Sequence, residues 1–259
     1  MRGSTIYIEG SSGLHTLHPL TKLAFSGLCF ACAAALPTLP WLLAMFGLVI
    51  LPLAIWGRLT KAFLKACLLV VGPFLLSLSI IQGFFHGGET VLFALGRFSY
   101  TLEGLMAGLL FAARLLVALG GTLLLMQSTD QAHLMQALTE RGFPTRIAYV
   151  VLTAIQIFPS FQDRAQVIID AQQARGLELQ TGALNRARLL LPMVGPLILG
   201  SVMNVSERAM ALEARGFSSP AHKTSLRSLA DTGAQRAVRW LLVAAAIALL
   251  LWRLWSALA

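Results

Sequence analysis

The 259-residue sequence predicts an all-α membrane protein with about five transmembrane helices and long cytoplasmic amphipathic helices. Three observations predict it. Hydrophobic residues make up 57% of the chain and charged residues 12%, where soluble domains have about 45–50% and about 25%; so little charge cannot cover a water-facing surface. Mean hydropathy is +0.75, concentrated in stretches near the roughly 20 residues that a membrane helix needs. The net charge of +9 is carried by cations that sort to one side of those stretches.

The first apolar stretch, Leu23–Trp56, is too long for one span. Pro37 and Pro40 break it, since proline lacks a donor and clashes with the preceding turn. Two helices result, Leu23–Leu36 and Trp41–Trp56, joined by a tight hairpin. A third runs Ala66–Phe85 and carries Pro73. His86–Thr101 reads as a glycine-containing loop whose apolar piece, Val91–Leu95, is a candidate re-entrant segment. A fourth helix runs Leu102–Met126. The last, Trp240–Trp255, is bracketed by Trp240, Trp252 and Trp255, as interfacial tryptophans are at helix ends. Between the fourth and last helices lie two shorter apolar runs. Ile147–Phe158 is too short to span, and Leu189–Met203 contains Pro192 and Pro196. Both read as half-buried helices, with the two prolines as a hinge or bend.

With five spans and the N-terminus inside, Arg2, Lys22, Arg58, Lys61 and Lys65 fall on the cytoplasmic side. Twelve more cations, from Arg141 to Arg239, join them, making seventeen of the twenty. The positive-inside rule requires this asymmetry. Seven spans would place Arg164, Arg175, Arg186 and Arg188 outside. The segments are therefore 1–21, a cytoplasmic N-terminal piece; 22–127, the first four helices; 128–236, a cytoplasmic insert; and 237–259, the last span. The expected location is a bacterial cytoplasmic (inner) membrane, multi-pass, and the basic charge implies no nucleic acid.

Several chemistries are poorly served. Cys29 and Cys32 form a C-x-x-C, either a redox or metal pair or two small apolar residues one helical turn apart; the apolar run around them favours the second. The five histidines form no zinc-binding pattern, and no metal is expected. No P-loop is present, so ATP is not expected to bind here. The spans offer Arg114 and a few serines but no histidine or acidic pair, so no membrane-embedded enzyme is expected.

The insert is the most specific region. Asp170–Gly176 and Met210–Gly216 both close with Ala-x-x-Ala-Arg-Gly, placing Arg175 and Arg215 40 residues apart; Leu138-Thr-Glu-Arg-Gly142 is a weaker echo. Glycine past a helix end takes the left-handed cap, and arginine in the last turn complements the helix dipole. Each triplet alone is thus an ordinary C-cap. The helices behind them add more. Ile198, Val202, Val205, Ala209 and Leu212 make one apolar stripe; Ser201, Asn204, Arg208, Ala211 and Arg215 line another face; small residues allow a close helix crossing. On the first helix Phe161, Ala165, Ile168 and Ala171 share a side with Arg175. A terminal guanidinium is a rigid fork of five donors suited to carboxylates or carbonyls. Anionic lipid is the alternative partner, though it needs no matched pair of tips.

On Ala174-Arg175-Gly176, Ala214-Arg215-Gly216, His18-Pro-Leu-Thr-Lys-Leu23, Arg114 within Ala112–Leu116, and Phe158-Pro-Ser-Phe161 at the start of the first long helix, the chain resembles the transmembrane T component of energy-coupling factor (ECF) transporters. That group includes the cobalt and biotin uptake T subunits. The resemblance runs from about Leu17 to Pro220 and on through the last span. His18 departs from it, standing where the family usually has a short polar or acidic residue. The resemblance implies a non-catalytic subunit that joins two cytoplasmic ABC-type ATPases to a membrane S component, which binds a vitamin or transition-metal ion. Its coupling helices cross, and Ala174, Arg175, Gly176, Ala214, Arg215 and Gly216 meet the ATPases. No cofactor is expected on this chain; ATP and Mg belong to the partner ATPases. Arg114, Arg141, Arg208, Pro192 and Pro196 are candidate structural or coupling positions. For Arg114 the readings are a bond to backbone carbonyls or a contact with the S component. The alternative assignment is a conventional ABC permease with its own translocation path.

Overall fold

A computed structural model describes residues 10, 12–85, 88–95, 98–176, 183–219 and 231–258; residues 1–4, among the N-terminal expectations, lie outside them. The chain divides into two units. Thr145–Arg227 belongs to one; Thr5–Pro144 and Ser228–Ala259 form the other, here the membrane body.

The body is a multi-pass helical bundle. It contains α1 (Gly13–Thr16), α2 (Pro19–Ala35), α3 (Leu39–Met45), α4 (Leu51–Trp56), α5 (Thr60–Phe85), α6 (Leu102–Ser128), α7 (Gln131–Thr139) and α10 (Gly233–Leu258). Among the described residues four helical stretches are long and apolar enough to cross a membrane, namely Leu39–Trp56, Thr60–Phe85, Leu102–Ser128 and Gly233–Ser256; α2 is a shorter apolar helix of 17 residues. The helices outrun the apolar stretches that predict them: α5 starts at Thr60 rather than Ala66, and α10 at Gly233 rather than Trp240. A helix continues into polar residues as long as its backbone bonds are met, so hydropathy marks only its membrane part.

Leu39–Trp56 is not uniform. A π-helical turn, Phe46–Ile50, separates α3 from α4, and Leu51 N–H donates to Phe46 C=O five residues back. Pro52 follows one residue later. Its ring excludes ordinary α geometry on the preceding turn, and the wider π turn makes room.

The core lies where α2, α5 and α6 meet the Leu39–Trp56 stretch. Cys29, Leu42, Ile50, Phe63 and Val117 are fully buried there. Small residues set the helix spacing. A Cβ added at Gly121 would lie 2.7 Å from Cys29 Cβ and Sγ. One at Gly108 would lie 2.9 Å from the Leu78 carbonyl oxygen and Ser79 Cα on α5. Gly104, Gly108 and Ala112 recur every fourth residue and are all buried, a spacing that lets two helix backbones approach closely. The C-x-x-C thiols of Cys29 and Cys32 are buried and free, serving as small apolar residues.

His86–Thr101 departs from the expected loop. Val91–Leu95 (β1) and Phe98–Thr101 (β2) form an antiparallel hairpin with Phe93 opposite Tyr100 and Leu95 opposite Phe98. Thr90 N–H donates to Glu103 Oε1 at 3.2 Å, tying its base to the first turn of α6. Tyr100 Oη donates to Ser79 C=O at 3.2 Å and packs edge-on against Phe84. A five-residue apolar run is ambiguous from sequence alone; here strand pairing satisfies its backbone.

The other unit contains α8 (Thr145–Ala174) and α9 (Ala183–Ala214), of 30 and 32 residues. Each of the two short apolar runs is part of one such helix. The Phe158-Pro-Ser-Phe161 sequence is in the interior of α8, with Pro159 inside the helix. α9 is helical through Pro192 and Pro196.

Candidate coupling site

Three helices end on the same device. Gly142, Gly176 and Gly216 have φ of 95°, 90° and 72°, the left-handed region that glycine enters without Cβ strain. After α9, Gly216 N–H donates to Glu213 C=O at 2.9 Å and Phe217 N–H to Leu212 C=O at 3.0 Å. After α7, Gly142 N–H donates to Thr139 C=O at 3.0 Å and Phe143 N–H to Leu138 C=O at 3.1 Å. Both are complete Schellman caps. Gly176 makes the first of these bonds, to Gln173 C=O at 2.9 Å; the residue that would make the second lies outside the described residues. In all three the residue before the glycine is arginine, so Arg141, Arg175 and Arg215 each stand at the point where a helix stops.

Within their unit α8 and α9 meet on a mixed surface to which Ile157 and Val205 contribute beside polar residues. Arg164 Nη2 donates to Asn204 Oδ1 at 2.9 Å, and Ser160, Phe161, Ser201 and Arg208 line the same crevice. Arg175 lies 11 residues beyond Arg164, and Arg215 lies 11 residues beyond Asn204. At 1.5 Å per residue each arginine is about 16 Å along its helix from the crossing, so the arms are equal. Phe217 packs on Tyr149 near the start of α8, with ring centroids 5.1 Å apart, which fixes the tip of α9 to its neighbour. Ala174, Arg175, Gly176, Ala214, Arg215 and Gly216 are exposed. Among the described residues no carboxylate pairs with Arg175 or Arg215. Val205 of the apolar stripe reaches the edge of this crevice, while Ile198 and Val202 are left 55% and 60% exposed.

Arg141, the third capped arginine, behaves differently. Its Nη2 donates to Asp231 Oδ2 at 2.9 Å, and the same oxygen receives Arg236 Nε at 3.3 Å and Arg239 Nη2 at 3.2 Å. Burial alone would raise the Asp231 carboxyl, but hydrogen bonds from Arg239 and Arg141 and the Arg239 charge outweigh it and hold the pKa below the ordinary carboxylate value. His18 is buried beside this cluster, and its N–H donates to Gln235 Oε1 at 3.0 Å. Burial, reinforced by Arg239 and Arg141 against Asp231, holds its imidazole below the usual value. Asp231 is absent from the sequence reading; the available signal was a lone acid flanked by Arg227, Arg236 and Arg239.

Arg114 Nη2 donates to Leu36 C=O at 3.4 Å and sits 5.6 Å from the Phe111 ring centroid. Leu36 is the C-cap of α2, so this guanidinium serves the turn between α2 and α3. Lys22, buried at the other end of α2, donates to Ser128 C=O at 2.8 Å.

Residues 10–226 match the family described as "CbiQ: Cobalt transport protein". The chain is similar to proteins named energy-coupling factor transporter transmembrane protein EcfT. That of Heliobacterium modesticaldum is 28% identical over 256 residues, covering 95% of this chain and 96% of the relative. That of Thermosediminibacter oceani is 28% identical over 256 residues (92% and 93%), and that of Leuconostoc gelidum 26% over 239 residues (86% of each).

Proposed function

The chain belongs to the CbiQ cobalt transport protein family, as an ECF transporter T component, and from that premise we propose that it couples two ABC-type ATPases to a substrate-binding S component. In this reading Arg175 and Arg215 each dock on one ATPase. The tips, Lys22 and the basic insert face the cytoplasm of a bacterial cell with the bundle in its inner membrane. The cargo, a vitamin or transition-metal ion, is bound by the S component. ATP and Mg stay on the ATPases, and this chain transmits their movement.

One observation carries the proposal: two exposed arginines, each fixed by a left-handed glycine cap, stand at equal distances from one helix crossing. A lever needs a stiff arm and a defined contact at its end, and coupling requires that this contact differ between two states. Long unbroken helices provide the arms. The open apolar stripe on α9 is suited to an apolar membrane partner, the character expected of an S component.

The test is Arg175→Ala with Arg215→Ala in the full chain, co-expressed with its ATPases and S component. Losing one partner of a desolvated charge pair costs about 2–5 kcal/mol. The double variant is expected to lose ATPase copurification and uptake while the chain still accumulates in the membrane. Wild-type copurification and uptake in that variant would end the reading.

A further inference from the structure

The chain leaves the membrane body after Pro144 and rejoins it at Ser228. Close to those two points stand Arg141 and Asp231, hydrogen-bonded at 2.9 Å although 90 residues apart in sequence. Arg141 closes α7. Asp231 stands two residues before α10 and also receives Arg236 and Arg239 from the first turns of that helix. One carboxylate oxygen therefore fastens the end of α7 to the start of α10, the two helix ends of the body that flank the inserted unit in sequence. The N-cap residue of α2 joins through His18 N–H and Gln235.

Exposed ion pairs contribute little, but this one is largely withdrawn from water. The Arg239 side chain is 9% exposed and that of Asp231 15%. A buried cation needs its counter-charge, and Arg239 with Asp231 already meets that need. Arg141, 45% exposed at its side chain, goes beyond it. Its Arg-Gly-Phe sequence and the cap bonds of the glycine and phenylalanine amides match those at Arg215, yet its guanidinium is turned to a carboxylate of its own chain.

We propose that Asp231 is a positioning residue for energy coupling, because it joins the helix end from which the inserted unit departs to the start of α10. This rests on the coupling role proposed above. An insert joined by two separate segments yields at both when its far end is pushed. With Arg141 and the base of α10 held by one carboxylate, displacement passed down α8 to Arg141 meets two joined helices instead of α7 alone. Freed ends would regain the conformational freedom that closing the connection removes.

The experiment uses the complete ECF complex in lipid nanodiscs, with spin labels on Gln173→Cys in α8 and Leu251→Cys in α10; the native thiols are buried. The label distance is compared without nucleotide and with ATP trapped by vanadate. In otherwise unmutated protein it is expected to shift. Asp231→Asn and Arg141→Gln are expected to copurify with the ATPases and hydrolyse ATP while losing the shift, and Asp231→Glu to retain it. In the isolated chain, both disabling variants should speed hydrogen exchange of the Phe143 amide. A wild-type shift in the disabling variants overturns the proposal, as does loss of ATPase copurification with the shift. If Asp231→Asn does not accumulate, Arg141→Gln decides alone, since it leaves the Arg239 pair intact. Absence of ATPase binding or of any shift without these substitutions overturns the coupling reading itself, a separate outcome.

Discussion

Replacing Gly216 with alanine isolates the cost of the left-handed cap from every other effect. At φ of 72° a residue with a Cβ is strained by about 1–2 kcal/mol. Nothing offsets or adds to this in the packing: the nearest atom to an added Cβ is Ser219 Cβ at 4.0 Å, and at Gly176 nothing lies within 4 Å. Strain of that size lowers the ratio of capped to uncapped tip by about 5–30-fold. If docking selects the capped tip, affinity for the ATPase falls with its population, by at most the same factor. With each tip docked on its own ATPase as proposed, Gly176→Ala with Gly216→Ala should multiply the effects, to at most about 25–900-fold. Asparagine tolerates the left-handed region, so Gly216→Asn should recover most of the loss. Gly142→Ala is the internal control, with φ of 95° and open space but its arginine engaged by Asp231; it should lower stability and leave ATPase affinity unchanged. The assay is titration of purified ATPase onto the nanodisc-embedded chain by interferometry. Wild-type affinity in Gly216→Ala, or equal losses in the alanine and asparagine variants, refutes the reasoning.

Gly108→Ala should lower the melting temperature in detergent, because its Cβ would sit 2.9 Å from α5 backbone atoms that cannot turn aside; overpacking of this kind costs about 1–3 kcal/mol, and an unchanged melting curve would show that α5 and α6 separate freely. Arg114→Leu should also lower it, by leaving the Leu36 carbonyl without its donor; a rise would rule out the anchoring role. His18 has a folded-state pKa below its usual 6.5, so the folded state favours the neutral ring. Its contribution is complete above pH 6.5 and is lost as pH falls from there toward the folded-state value. Thermal stability should decline over that interval in wild type and be flatter in His18→Gln. Asp231 is the opposite ionic case: its depressed carboxyl contributes stability above its ordinary 3.8, which is lost as pH falls through the lower folded-state value. Protection of the Phe143 amide should therefore persist to pH 4 and fall below it, except in Asp231→Asn.

Much of this architecture is written locally and was therefore legible. Pro37 and Pro40 stop one helix and start another, and the hydropathy of 41–56, 66–85 and 102–126 marks three more membrane helices without ambiguity. The Arg-Gly triplets announce helix ends, and the caps at Gly176 and Gly216 have the dihedral angles glycine is needed for. What escaped depends on distant partners. Val91–Leu95 becomes a strand because Phe98–Thr101 lies opposite it and Glu103 holds Thr90. Which face of α9 meets α8 could not be read from the wheel, which offered an apolar stripe and a polar face alike; Arg164 reaches Asn204 on the polar one. Asp231 gained its role from three arginines that folding brings to it. Phe158–Phe161 looked like a helix start and Pro192 and Pro196 like a hinge or bend, yet the helices run through all three prolines. The Gly104–Gly108 spacing was legible and overlooked.

The brevity of α2 has a consequence for the lipid around it. Seventeen residues rise about 25 Å, some 5 Å less than a typical hydrocarbon core, while the 27 residues of α6 rise about 40 Å. Arg114 closes the short helix at Leu36, so the turn stays low instead of stretching to the far headgroups. The bilayer beside this turn must thin while that beside α6 need not, at fractions of a kcal/mol per ångström of mismatch. The protein thus lives in a membrane it has itself made uneven, and acyl-chain length becomes one of the variables on which its working state depends.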